Sequence, residues 1–251
     1  LSPDSYAVLA QALEFSQGRG GFDVTVGPLV ALWAAGKAAG QTPDDAAIRQ
    51  ALALVDYRDL ALDPDASSAA LKQAGQSVDL GGIGKGFAGD RVLAVYREFG
   101  VTSAYSNLGG NVVTVGAKPD GAPWQIGIQH PRQEDRLIGA VAVAGKSVVT
   151  SGDYQRYFID ARGIRRHHIL DPASGYPAQS DLISVSIVAE RSMVADALST
   201  ILFVAGLERG LEILSGYPQT EAIFVDEDLR VWITPGLKDS FRVERDIEVV
   251  I

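Results

Sequence analysis

The pattern of apolar and polar positions changes character near Tyr57. Before it the chain reads as mostly helical. Ser2 as a cap, Pro3 in the first helical position and Asp4 behind it predict a helix over residues 3–15. The glycine cluster of residues 18–23 (GRGGFD) leads into VGPLVALWAAG, where Pro28 sits at a helix start. Thr42-Pro43-Asp44-Asp45 then opens a third helix to about Val55.

After Tyr57 the runs shorten and turn β-rich, broken by one amphipathic helix over residues 87–99, with Val92, Leu93, Val95, Tyr96 and Phe99 on or near one face. Strands are expected at SVDL, SAYSN, NVVTVG, WQIGIQ, IGAVAVAG, SVVTSG and YQRYFID, separated by turns such as Pro119-Asp120-Gly121 and Asp160-Ala161-Arg162-Gly163. Most gaps are too short for crossover helices, so neighbours should pair antiparallel. A second helical block over residues 193–214 precedes AIFVD, VWITP and the apolar tail IEVVI. These elements predict an α+β fold of largely antiparallel sheets with packed helices: a helical part over 1–56 and a mixed part over 57–251. No linker marks a boundary, so a second domain should be interleaved with the first.

Charge narrows the choice of partner. The 22 basic and 31 acidic residues give a net charge of −9, which argues against nucleic acid, since a polyanion needs a basic face. An anionic ligand must therefore meet local cations or a metal. No apolar run approaches the ~18 residues of a membrane span. Cysteine is absent, which excludes disulfides, thiolate metal sites and cysteine nucleophiles. The helix signal directly at Leu1 suggests that an upstream segment precedes this sequence.

VDLGGIGKGFAGD, residues 78–90, contains G-x-G-x-x-G at Gly84, Gly86 and Gly89. A dinucleotide-binding unit would follow the motif with a helix and a parallel strand ending in an acid about 20 residues on. The next strand, SAYSN, ends without one and runs into Asn107-Leu108-Gly109-Gly110-Asn111, a glycine loop between antiparallel strands. A Walker A loop is also excluded, because Gly86 follows Lys85 where Ser or Thr is required. Two readings stay open: the glycines make a tight turn, or they let backbone approach a phosphate ligand flanked by Asp79 and Lys85.

Of three histidines, His130 and His167 suit structural roles. His168 is the better candidate for chemistry, because the Asp171 turn that follows could supply a carboxylate to fix its tautomer. In VADALSTILFVAG, Asp196 and Thr200 stand one helical turn apart on one face. Asp196 could be a first-turn acid favoured by the helix dipole, with Thr200 bonded back to a carbonyl. Alternatively the pair offers hard oxygen ligands for Mg²⁺. Zinc is disfavoured, since neither cysteine nor H-E-x-x-H is present.

Taken together, GGFDVTVGPLVALW, VDLGGIGKGFAGD, SNLGGNVVTVG, VVTSGDYQRYF, HHILDPASGYP and VADALST resemble the ApbE family of FAD:protein FMN transferases across nearly the whole chain. The resemblance implies a T-fold-related architecture with two interleaved lobes around a flavin and metal cleft. It implies a periplasmic or extracytoplasmic enzyme, membrane-anchored at full length. Such an enzyme takes FAD as substrate with Mg²⁺ as cofactor, and transfers FMN to a Thr or Ser hydroxyl of a partner flavoprotein, releasing AMP. By the same resemblance the metal ligands fall on the Gly82 carbonyl, Asp196 and Thr200. Flavin-binding positions fall on Gly21, Phe22, Asp23, Asp79, Lys85, His168 and Ile169. His168 then serves as general base, and Lys85 as a second positive charge at the diphosphate. Val24, Gly84, Phe87 and Ser199 depart from the usual motif residues without removing a ligand side chain. An FAD diphosphatase using water as acceptor, a non-catalytic flavin-binding protein and, on the glycines alone, a nicotinamide dehydrogenase are the rival readings.

Overall fold

The computed structural model describes residues 1–18, 20–244 and 247–250. Among these residues six α-helices are present: α1 (Pro3–Ser16), α2 (Gly27–Ala39), α3 (Asp45–Leu52), α4 (Gly84–Glu98), α5 (Ser192–Ala205) and α6 (Leu207–Leu214). The strands are β1 (Leu60–Asp63), β2 (Ser68–Leu71), β3 (Ala104–Leu108), β4 (Asn111–Val115), β5 (Trp124–Gln129), β6 (Leu137–Val143), β7 (Ser147–Gly152), β8 (Tyr157–Ile159), β9 (Arg165–His167), β10 (Leu182–Ala189), β11 (Glu221–Asp226), β12 (Val231–Ile233), β13 (Phe241–Val243) and β14 (Val249–Val250). Among the described residues these strands pair antiparallel except β12 with β14. Among the described residues no helix is long and apolar enough to cross a membrane.

The chain divides into two compact units that exchange segments: Leu1–Gly82 with Asp153–Gln179, and Ile83–Gly152 with Ser180–Ile251.

In the first unit the helix starts follow their capping chemistry. The Ser2 hydroxyl accepts from the Ser5 N–H at 3.1 Å with Pro3 behind it, and Asp44 accepts from Ala47 N–H at 2.8 Å to open α3. Helix α3 ends at Leu52 rather than near Val55. Leu29, Trp33, Ile48 and Leu170 form a small core, with Phe158 of β8 packed against it. The Trp33 indole N–H donates to the Gly175 carbonyl at 2.8 Å. SVDL is not a strand: Ser77 makes a single bridge to Val26, and the backbone then turns. Part of the expected glycine loop, Arg19, lies outside the described residues.

The second unit is built on a seven-stranded sheet in the order β14-β12-β11-β10-β7-β4-β3, with a separate three-stranded sheet β13-β6-β5. All eight residues of β10 are buried, as suits a central strand covered on both faces. Strands β3 and β4 meet at Gly109 and Gly110, both at positive φ, so the loop after SAYSN is a hairpin and the parallel strand of a dinucleotide fold is missing. The second helical block divides at Gly206, whose φ of 80° separates α5 from α6. The tail strand is confined to Val249–Val250, and Ile251 lies outside the described residues.

Helix α4 starts at Gly84, three residues earlier than expected, so the glycine motif lies inside a helix and not in a turn. Its buried face is Gly86, Gly89 and Leu93, while Val95 and Phe99, expected to face the core, are exposed. A Cβ at Gly86 would sit 2.5 Å from the Ser192 carbonyl oxygen and 2.6 Å from Met193 Cα. One at Gly89 would meet Ser192 Oγ at 2.5 Å and Val113 at 2.8 Å. These glycines set the closeness of α4 to α5. Gly86→Ala should therefore lower unfolding stability by about 1–3 kcal/mol, as overpacking against backbone does, whereas Ala at exposed Gly109 should not act through packing. Chemical denaturation with α4 and α5 reporters checks this.

Candidate active site

In the second unit α4 and α5 satisfy each other's helix starts. Neither has a side-chain cap of its own. Asp196 of α5 accepts from the Gly86 N–H of α4 at 2.7 Å, while Asp90 of α4 accepts from Ser192 N–H at 2.6 Å and Met193 N–H at 3.3 Å. Each carboxylate thus takes up backbone donors that the partner helix leaves unsatisfied. Burial pushes both carboxyls above the usual carboxylate range, and the backbone donors pull them part of the way back.

Asp196 is 4% exposed. It is the fifth residue of α5 and not a first-turn acid, and the bond back to a carbonyl is made by Ser199, which donates to the Asp196 carbonyl at 2.8 Å. The Lys85 ammonium donates to Asn111 Oδ1 at 2.8 Å, which fixes the amide orientation because an ammonium only donates. Asn111 Nδ2 makes no regular hydrogen bond, yet the amide, like Lys85, still favours the charged form of Asp196. Thr200 follows one turn after Asp196, its hydroxyl 3.4 Å from Ser151 Oγ of β7, and Ser151 also bonds Ser199 at 2.8 Å. The result is a carboxylate and hydroxyl group of hard oxygen donors beside an ammonium. Among the described residues no three His, Cys, Asp or Glu side chains cluster as a metal cage. The donor set suits a cation that keeps waters and takes substrate oxygens, as Mg²⁺ does.

In the first unit Asp23 is an organising carboxylate. Its Oδ1 accepts from the Thr25 N–H and hydroxyl at 2.8 and 2.6 Å, and its Oδ2 from the Tyr57 N–H at 3.0 Å. Phe22 is buried edge-on to Phe15, and Gly21 takes a positive φ of 80°. Asp79 accepts from the Gly81 N–H at 2.8 Å, forming the turn that carries Gly82. The side chains of Phe22 and Asp23 are thus committed to shaping the segment, leaving backbone as the surface a ligand can meet there.

His168 is exposed just beyond β9, and its Nδ1 lies 3.2 Å from the Arg156 carbonyl. A carbonyl only accepts, so Nδ1 carries the proton and Nε2 is the basic nitrogen. The expected Asp171 carboxylate has another use: its Oδ1 accepts from Ala173 N–H at 2.9 Å. Ile169 is buried, with its carbonyl accepting from Ala178 N–H. His167 Nε2 meets the Ala178 carbonyl at 3.0 Å, and His130 Nδ1 accepts from Arg132 N–H at 3.1 Å. Burial lowers the proton affinity of both rings.

Asn111 and Asp90 also shape the site, and no local spacing signals them, because their partners lie 26 and 102 positions away. A pocket of about 150 Å³ lies on the first unit, where Trp33, Lys37, Tyr157, Phe158, Arg166 and His168 come together from segments remote in sequence.

The family model described as "ApbE family" matches residues 1–224. The chain is 39% identical to an FAD:protein FMN transferase of Treponema pallidum, over 95% of this chain and 70% of that protein. It is 42% identical to one of Klebsiella pneumoniae, over 82% and 64% respectively. It therefore spans about two thirds of the length of these relatives. Among solved structures, the ApbE protein of Thermotoga maritima superposes with a TM-score of 0.86 at 33% identity, covering 96% of this chain and 79% of that one. The flavin transferase ApbE of Vibrio cholerae gives 0.80 at 27%, covering 96% and 77%.

Because burial raises the Asp196 carboxyl, its contribution to folding is full below the ordinary value of about 3.8 and is lost as pH rises through the folded-state value. In metal-free protein, Asp196→Asn keeps an oxygen for Gly86 N–H and removes the buried charge. Its Tm relative to the parent should climb as pH rises above about 4 and then level off. A difference that does not vary with pH in thermal unfolding with chelator present would rule out the burial cost.

Proposed function

The chain belongs to the ApbE family, and from that membership we propose that it transfers FMN from FAD to a Thr or Ser hydroxyl of a partner flavoprotein, with Mg²⁺ as cofactor and AMP as leaving group. One observation carries this reading: a carboxylate 4% exposed, raised by burial, with a hydroxyl one turn on and an ammonium nearby. The cap on Gly86 N–H uses the Oδ2 oxygen of this carboxylate, and its acceptor capacity beyond that cap suits a cation.

Asp196 and Thr200 would hold the metal, and the resemblance adds the Gly82 carbonyl. When bound, Mg²⁺ supplies charge neutralisation at the diphosphate. Lys85 adds a positive charge held in place by Asn111. The acceptor hydroxyl oxygen forms a bond to the phosphorus nearer the flavin. The bond from that phosphorus to the bridging oxygen breaks, and AMP leaves with the bridging oxygen. The hydroxyl proton goes to His168 Nε2, the nitrogen left basic by the Arg156 carbonyl. Backbone at Gly21–Asp23 and Asp79, together with Ile169, meets the FAD. A periplasmic or extracytoplasmic setting follows from the same resemblance.

Mass spectrometry of a partner flavoprotein incubated with this chain, FAD and Mg²⁺ should show one added FMN mass and stoichiometric AMP. AMP without adduct, at the same rate with and without partner, would instead identify a diphosphatase. His168→Ala should lower kcat about 10²–10⁴-fold. Asp196→Ala should abolish the Mg²⁺ dependence along with the rate.

A further inference from the structure

The hairpin β8–β9 is a two-stranded sheet of its own and rich in cations. Residues 154–168 carry four arginines against one aspartate, in a chain of net charge −9. That aspartate, Asp160, is buried: it accepts from Arg162 and Ile164 N–H, the Thr42 hydroxyl and Arg166 Nε. These donors hold it far below the usual carboxylate range, so it remains an anion that fixes the hairpin and offers nothing to a partner. The outer surface is left with Arg156 and Arg162 exposed, and with Arg165 laid 4.0 Å over the Tyr157 ring. Tyr157, Ile159 and Ile164 are 37%, 52% and 43% exposed, apolar side chains standing among cations.

The backbone is equally one-sided. Asp160 N–H bonds Ile164 at 2.9 Å and His168 N–H bonds Arg156 at 3.0 Å across the hairpin. In an antiparallel pair the inward bonds alternate, so Tyr157 and Ile159 turn their N–H and C=O groups to the outer edge of β8. The far side of β9 is occupied: Leu170 bridges Pro177, and Ala178 bonds both Ile169 and the His167 ring. Strand β8 forms the other edge of a two-stranded sheet, with neither the proline nor the bulge that commonly blunts an edge. His168 sits directly across from Arg156 at one end of it.

We propose that the β8 edge docks an acidic, extended segment of the acceptor protein as an added strand, delivering the acceptor hydroxyl toward His168. This rests on the transferase reading and names the recognition element for its second substrate. Backbone pairing at Tyr157 and Ile159 supplies register, while Arg156, Arg162 and Arg165 select acidic flanks. An otherwise acidic protein would repel such a segment elsewhere on its surface.

The test measures binding without FAD, so that it stands apart from catalysis. Two labelled peptides of about 15 residues, each with one central Thr, carry either Asp/Glu or Lys/Arg flanks, and fluorescence anisotropy reports their affinity. The acidic peptide should bind at least about tenfold tighter than the basic one and weaken as salt rises from about 50 to 500 mM. Ile159→Pro, which removes an outward N–H without touching the ladder, and Arg156→Ser/Arg162→Ser should each lose about tenfold, with unfolding curves confirming the fold. Equal affinity for both peptides, unchanged affinity in both variants, or binding of the hairpin to anionic phosphatidylserine vesicles but not to the acidic peptide would overturn the proposal. If the acidic peptide binds as expected but no partner ever acquires FMN, the docking site stands and the transferase reading falls.

Discussion

The second unit depends on the reciprocal capping of α4 and α5. A helix start leaves backbone N–H groups without partners, and a buried start must find them acceptors. Here Asp196 serves α4 and Asp90 serves α5. The exchange requires the two helices to approach until no Cβ fits between them at Gly86 and Gly89. The same approach lays Lys85 against Asn111 and places both beside Asp196. The fold and the chemistry of the proposed metal site therefore share one set of contacts.

That sharing explains why a costly carboxylate persists in the helix interface. Burial disfavours the Asp196 anion, and one N–H, one amide and one ammonium offset that only in part. A divalent cation would complete the compensation and draw the group to its ionised form. In the first unit the oxygens of Asp160 and Asp23 are filled by donors from within that unit, among them Arg162 N–H, Arg166, Thr25 and Tyr57 N–H. Those two carboxylates are stabilising anchors. Asp196 has ligand capacity left over.

What the sequence made legible follows the range of the interactions involved. Ser2, Pro3 and Asp44 announced their helices because capping chemistry is local, and alternation with short turns announced the antiparallel strands. The glycine motif misled because G-x-G-x-x-G records only that side chains are unwelcome, not what excludes them. In this chain it is a second helix more than a hundred residues on. The same cause hid the true buried face of α4, where Val95 and Phe99 look like core residues and glycines do the packing. Asp196, Lys85 and His168 are nameable from pattern and resemblance. Their partners Gly86, Asn111 and Arg156 are not, since each contact joins segments remote in sequence or passes through backbone.

Asp196, a helix cap, is proposed to be a metal ligand as well. Crystals of the full chain grown with FAD and Mn²⁺ in place of Mg²⁺, with data collected at the manganese edge, test it directly. An anomalous peak about 2 Å from both the Asp196 carboxylate and the Thr200 hydroxyl, next to the diphosphate, is the predicted result. FAD bound with no peak at Asp196, or with the metal held by other residues, would contradict it.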